Sequence, residues 1–190
     1  MNPTEAFFTR FNHALRASSV GHCYLRGYSL FPSIAPLSDV DMLVAPQDRA
    51  EAISAFRSSA SATGFHVWQV LQSGFLTRLF AYRHSPTEGH HFVDVDIHAS
   101  EATYGVHYFS ADQLLPLAKD VNGLQVLPEA TEAMVNSLGH YFSGGSIPEK
   151  YLSVWKKHRD DAEAAGLLQS AVGSTAASAL LEGLDADAEI

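Results

Sequence analysis

A single cysteine, Cys23, stands in a chain of 190 residues, which excludes an internal disulfide and agrees with a reducing compartment. Basic residues are scarce too, with 12 Lys+Arg against 21 Asp+Glu and a formal net charge of −9. A long nucleic-acid partner calls for a basic face or stripe, so this deficit argues against one. No apolar run approaches the roughly 20 residues of a membrane-spanning helix. Met1 to Ala14 carry neither a charged n-region nor a continuous apolar stretch of the secretory type. The expectation is a soluble, cytoplasmic protein with no membrane partner. Nothing in the composition speaks to oligomeric state, and there is no internal repeat or low-complexity tract.

What is present is enough apolar material for a real core, 46% of the chain. Thr4 is a candidate cap for a first helix with Phe7, Phe8, Phe11 and Leu15 on one face. Cys23 to Leu25 reads as a buried strand and Tyr28 to Leu37, with two prolines, as a loop or short helix. Val40 to Val44 is a second strand. Pro46 opens a helix to about Ala62, with Ala50, Ile53, Ala55 and Phe56 inward and Gly64 as its stop. Three strand-like runs follow: His66 to Leu71, Phe75 to Tyr82 and His91 to Ile97. Asn122-Gly123 predicts a hairpin into Leu124 to Leu127. Beyond Pro128, helical spacing covers Glu129 to Phe142, Glu149 to Ala165 and Gly166 to Leu184. The pattern is α+β, a sheet with an early helix and a helical C-terminal region. The expected division is residues 1–127 as the α+β domain, 128–184 as helices packed on it, and 185–190 as a frayed acidic tail.

Chemistry concentrates in Ser38-Asp39-Val40-Asp41-Met42-Leu43-Val44. On a strand, alternate side chains share a face, so Asp39 and Asp41 lie together opposite Val40 and Met42. Two adjacent carboxylates repel and resist burial, and a divalent cation removes both penalties. The run Phe92-Val93-Asp94-Val95-Asp96-Ile97-His98 repeats the design, with Asp94, Asp96 and His98 on one face. Were the two strands neighbours, their carboxylates would converge on a site able to hold two cations ~3.5–4 Å apart. Such a cluster without a cation strains itself, so replacing Asp41 by Asn is expected to leave stability unchanged or slightly higher.

Plainer readings stand beside each of these. Asp39 after Ser38 also suits a strand start with Asp41 solvated, Gly27 suits a simple tight turn, and Asp94 suits a solvated strand position. His84, His90, His91 and His107 lack zinc-type spacing, and a solvated loop accounts for the first three. His98 is expected to hydrogen-bond to Asp96. Arg78 and Lys156-Lys157 read as surface cations, with Arg78 held as a weak phosphate contact.

Gly27-Tyr28-Ser29, Asp39-Val40-Asp41 and the later Asp96 strand resemble the polymerase-beta-like nucleotidyltransferase superfamily. Tyr24-Leu25-Arg26-Gly27, the Asp39–Val44 run and Val95-Asp96-Ile97-His98 are similar to an uncharacterised bacterial nucleotidyltransferase-like group. That group has Leu-Lys-Gly, Asp-Ile-Asp-Leu-Leu-Val and Asp-Leu-His motifs. The resemblance implies a minimal nucleotidyltransferase fold, a mixed sheet flanked by helices. It implies that Asp39, Asp41 and Asp96 bind Mg2+ (or Mn2+), with Asp94 as the alternative third ligand, and that Asp96 helps activate the acceptor. Arg26, Gly27, Tyr28, Ser29 and Ser38 would then hold the nucleotide. Tyr28 departs from the group's small residue and Arg26 from its lysine.

The activity implied is Mg2+-dependent transfer of a nucleoside monophosphate from an NTP to a small-molecule or protein acceptor. Two rivals remain: a degenerate, non-catalytic binder of a nucleotide or partner, and a metal-dependent phosphohydrolase using Asp39, Asp41, Asp96 and His98. Neither the base nor the acceptor is legible.

Overall fold

The computed structural model describes residues 2–26, 28–29, 31–33, 39–87, 89–103 and 106–185. The chain divides into two compact units, Met1–Ser100 with Ala118–Val126, and Glu101–Leu117 with Leu127–Ile190.

The first unit opens with helix α1 (Pro3–Ala17), capped by Asn2 and not by Thr4. Asn2 accepts from the Glu5 N–H while the Glu5 carboxylate accepts from the Asn2 N–H, and Pro3, lacking an N–H, costs nothing in the first turn. Phe7, Phe8, Phe11 and Leu15 form its buried stripe, as their spacing predicts. Helix α2 (Arg49–Ala62) follows a 3-10 turn at Pro46–Asp48. Its inward stripe is Ala52, Ile53, Ala55, Phe56, Ser59 and Ala60. Ala50, expected inward, is exposed and lies at the edge of this stripe.

Seven strands make one mixed sheet: β1 (His22–Arg26), β2 (Asp39–Val44), β3 (His66–Ser73), β4 (Leu76–Ser85), β5 (Gly89–His98), β8 (Lys119–Val121) and β9 (Leu124–Val126), in the order β3-β4-β5-β2-β1-β9-β8. β2 and β5 are parallel neighbours, while β4 and β1 run antiparallel to β5 and β2 respectively. The β8–β9 hairpin turns on Asn122 and Gly123, both at positive φ, as the Asn-Gly pair predicts. His84, His90 and His91 belong to the paired β4 and β5 strands and not to a loop, since the ladder runs on to Ser85 opposite Gly89.

One sheet face is core. Val40, Met42 and Val44, Val93, Val95 and Ile97, and Leu79 and Ala81 pack with the inward stripes of α1 and α2. Phe7 meets Phe8, Phe56 and Phe65 edge to face at centroid distances of 5.3, 5.1 and 5.6 Å. By the alternation of strands, the other face receives Asp39, Asp41, Asp94, Asp96 and His98.

The second unit holds β6 (Ser100–Thr103), which begins one residue before it, and β7 (Val106–Ser110), a two-stranded pair. It also holds a short α3 (Ala111–Leu114) capped by Ser110, and helices α4 (Glu129–Gly144), α5 (Glu149–Lys157), α6 (Ala162–Val172) and α7 (Ser174–Asp185). Two helices, α5 and α6, occupy the run expected as one. Asp161 caps α6 by accepting from the Glu163 and Ala164 N–H groups, so the chain restarts there, and Gly166 lies inside α6. Gly173 ends α6 at positive φ. Residues 186–190 of the expected tail lie outside the described residues. Among the described residues, no helix is long and apolar enough to cross a membrane.

Candidate active site

The parallel β2–β5 register sets Asp39 beside Asp94, Asp41 beside Asp96 and Leu43 beside His98. Two acidic strands with the same alternation have thus become sheet neighbours in matching phase, and four carboxylates share one face. They differ in exposure: Asp39 is exposed, Asp94 half-buried, and Asp41 and Asp96 buried. Asp41, Asp96 and His98 each offer a ligand atom within 4.8 Å of the other two.

Two arginines answer this charge. On β1 the register slips between Tyr24 and Arg26, so that Arg26 rather than Leu25 stands opposite Asp41. Arg26 grips Asp41 through both oxygens, Nε to Oδ2 at 2.6 Å and Nη2 to Oδ1 at 3.0 Å. His98 Nε2 lies 3.1 Å from Oδ1 of the same carboxylate. The strand reading pointed His98 at Asp96, its neighbour along β5, but the parallel pairing brings it to Asp41. Arg78 on β4 stands opposite Asp96, donating from Nε to Asp96 Oδ1 at 2.9 Å and from Nη2 to Asp94 Oδ2 at 3.3 Å. It is therefore an ion-pairing residue of this cluster, well beyond an ordinary surface cation.

Protonation follows from these contacts. Burial pushes the Asp41 carboxyl up, but the hydrogen bonds from His98 and Arg26 and the Arg26 charge outweigh it and bring the pKa down to about 2. Burial dominates at Asp94, where Arg78 opposes it and Asp96 and Asp39 reinforce it, and the pKa rises to about 6. Asp96 is raised for the same leading reason, against Arg78 and with the charge of Asp41. The face thus holds one firmly ionised carboxylate beside two that retain protons more readily.

Gly27 and Ser38, expected as nucleotide contacts, lie outside the described residues. Tyr28 packs against the core, with its ring 6.4 Å from that of Tyr24. Ser29 lines, with Thr9, Asn12, Tyr28 and Val126, a groove of about 400 Å3. Lys157 pairs with Glu129 at 3.4 Å within the helical unit. Strand alternation put His98 on the acidic face and the resemblance named Arg26 as a nucleotide contact; what neither gave is that both partner Asp41. The signal available for both was register, since each lies one strand over from its partner.

The chain matches no protein-family model and no curated protein. Among solved structures it is similar to JHP933 from Helicobacter pylori, with a TM-score of 0.50 and 11% identity over 88% of this chain and 70% of that one. It also aligns with the solution structure of the antibiotic-resistance factor ANT(2'')-Ia, with a TM-score of 0.46 and 12% identity over 97% of each chain. The likeness is one of fold.

Proposed function

We propose that this protein is a nucleotidyltransferase of the polymerase-beta-like kind, moving a nucleoside monophosphate from an NTP to a small-molecule or protein acceptor with Mg2+ or Mn2+. The observation that carries the reading is the side-by-side register of Asp39-x-Asp41 with Asp94-x-Asp96 on adjacent parallel strands. The donor set fits the cation through its carboxylates, since carboxylate oxygens suit both Mg2+ and Mn2+. Asp41 and Asp96 would hold it with Asp39 or His98. When bound, it would neutralise phosphate charge in the transition state.

The remaining work falls to the chain. Arg26 and Arg78, each half-exposed, turn from carboxylate partners into phosphate partners. Asp96, whose raised pKa makes it the more basic of the central pair, accepts the acceptor's hydroxyl proton. The hydroxyl oxygen then bonds to the α-phosphorus as the bond to the bridging oxygen breaks, and pyrophosphate leaves with that electron pair. Ser29 and Gly27 are the proposed phosphate holders, and the NTP and the acceptor are the proposed partners. We read the chain as working in the cytoplasm.

One observation favours a second reading. Arg26 already satisfies both oxygens of Asp41, so guanidinium groups can stand in permanently for metal, as in a non-catalytic nucleotide- or partner-binding protein. Thermal shift with the four NTPs, each with and without Mg2+, separates the two. A gain requiring both NTP and Mg2+ supports transfer. A gain from NTP alone supports non-catalytic nucleotide binding, and none with any NTP contradicts both nucleotide readings.

A further inference from the structure

The face that carries the carboxylates continues away from them as an aromatic strip. Along β5 the same side of the strand presents Asp96, Asp94, Phe92 and His90 in turn, and the β4 partners of these residues are Arg78, Phe80, Tyr82 and His84. Tyr82 and Phe92 have ring centroids 5.2 Å apart, Tyr82 hydroxyl and His90 Nδ1 lie 2.7 Å apart, and Arg78 sits 5.2 Å over the Phe80 ring. At the far end, β3 spends one extra residue between Val67 and Gln69, and that residue is Trp68. Trp68 is 76% exposed and Phe92 44% exposed, both large apolar side chains on the surface. With His66, Val67 and Tyr82 they line a groove of about 510 Å3.

An edge-strand bulge by itself guards against edge-to-edge pairing. That role does not need a tryptophan, nor two further rings facing it across the strands. The volume suits one or two rings of a small molecule. None of the lining residues is a lysine or arginine, so an anionic ring gains nothing from the groove. Phe92 stands about 13 Å along the strand from Asp96, four residues at the strand rise. A ring held at Phe92 and Trp68 therefore reaches the carboxylates only through an arm of that order.

We infer that the Trp68–Tyr82–Phe92 groove is a ring-binding subsite that takes the acceptor, a hydroxylated, uncharged or cationic ring compound. Its assignment to the acceptor, though not its ring binding, rests on the transfer reading. In an in-line displacement the attacking hydroxyl and the departing pyrophosphate lie on opposite sides of the α-phosphorus. Of the proposed phosphate contacts, Arg26 and Ser29 lie on or just beyond β1, on one side of the β2–β5 pair, and Arg78 alone comes from β4. β4 and β3 with the aromatic groove are on the other, which is where an attacking hydroxyl belongs.

The test follows the indole N–H resonances of the full chain by 15N–1H correlation, with Trp68→Phe assigning the Trp68 signal against that of Trp155. Two probes are titrated: 2-naphthylmethanol as a flat ring alcohol and methyl α-glucopyranoside as a saturated one. Titrations are run with and without Mg2+ and the α,β-methylene analogues of ATP, GTP, CTP and UTP. Saturable movement of the Trp68 signal by either probe, with Trp155 still and with the nucleotide analogue bound at the same time, is the expected result. Phe92→Ala should weaken the responding probe by about tenfold, in line with aromatic stacking elsewhere. Two outcomes overturn the inference: no movement with either probe, or displacement of the probe by the nucleotide analogue, which would give the groove to the nucleobase. Probe binding with no response to any nucleotide analogue would uphold the ring subsite and contradict the transfer reading instead.

Discussion

Asp41 and Asp96 stand side by side on adjacent parallel strands, and each is held by its own arginine, Arg26 from one flank and Arg78 from the other. Two buried carboxylates at this spacing would repel, yet neither is left to the other's field alone. The arrangement resolves like-charge strain inside the chain, and this changes what substitutions there do.

Replacing Asp41 by Asn removes the anionic acceptor of both Arg26 and His98. The expected outcome is a loss of about 2 kcal/mol at neutral pH, measured by urea unfolding, where relief of repulsion alone would leave stability unchanged or higher. Because the folded pKa is depressed to about 2, wild-type stability from this group is complete above about pH 4 and fades as pH falls toward 2. The Asn variant should lack that acid limb.

Asp94 carries the opposite sign. Its folded pKa is raised to about 6 by burial, so the folded state binds its proton more tightly than the unfolded chain does. Stability from this group is present below about pH 4 and is lost as pH rises through 6. Asp94→Asn should flatten the stability profile between pH 4 and 6 and add about 1 kcal/mol at pH 7, discounted for its partial exposure. A variant less stable at pH 7 would show that the 3.3 Å pairing with Arg78 outweighs burial.

Metal affinity should itself depend on pH. A cation needs Asp96 ionised, and a raised Asp96 pKa means that binding expels protons more often in mildly acidic solution. Isothermal titration with Mn2+ over a pH series rising from the acid side, in buffers of different ionisation enthalpy, should show binding that tightens and proton release that falls as pH increases. Proton release that stays constant across the whole series would place the cation away from Asp96.

The core prediction is independent of the chemistry. Phe56 packs against Phe7 and Phe11 at 5.1 and 5.8 Å and is fully buried. Phe56→Ala should cost roughly 3–5 kcal/mol by chemical denaturation, the ordinary range for opening such a cavity.

How much of this was legible in the chain depends on the range of the interaction. Strand alternation put Asp39 with Asp41 and Asp94 with Asp96, and the resemblance implied a mixed sheet flanked by helices. Both expectations are met by the observed sheet. Partner choice was not legible. Arg26 reaches Asp41 through a one-residue slip on β1, and His98 turns to Asp41 through the β2–β5 pairing; neither leaves a periodic trace. The break between α5 and α6 hides in a run whose spacing stays helical, with Asp161 as the one capping signal. The β6–β7 pair is too short for a period of two to stand out.

The central claim is that the Asp41–Asp96 face holds a metal-bound nucleotide, and the most direct measurement is the anomalous signal of Mn2+ in crystals grown with an α,β-methylene NTP. The account predicts a Mn2+ peak at bonding distance from the Asp41 and Asp96 carboxylates, with Arg26 or Arg78 turned from carboxylate to phosphate. Nucleotide bound with the Arg26–Asp41 pair intact and no Mn2+ between the two aspartates would contradict it.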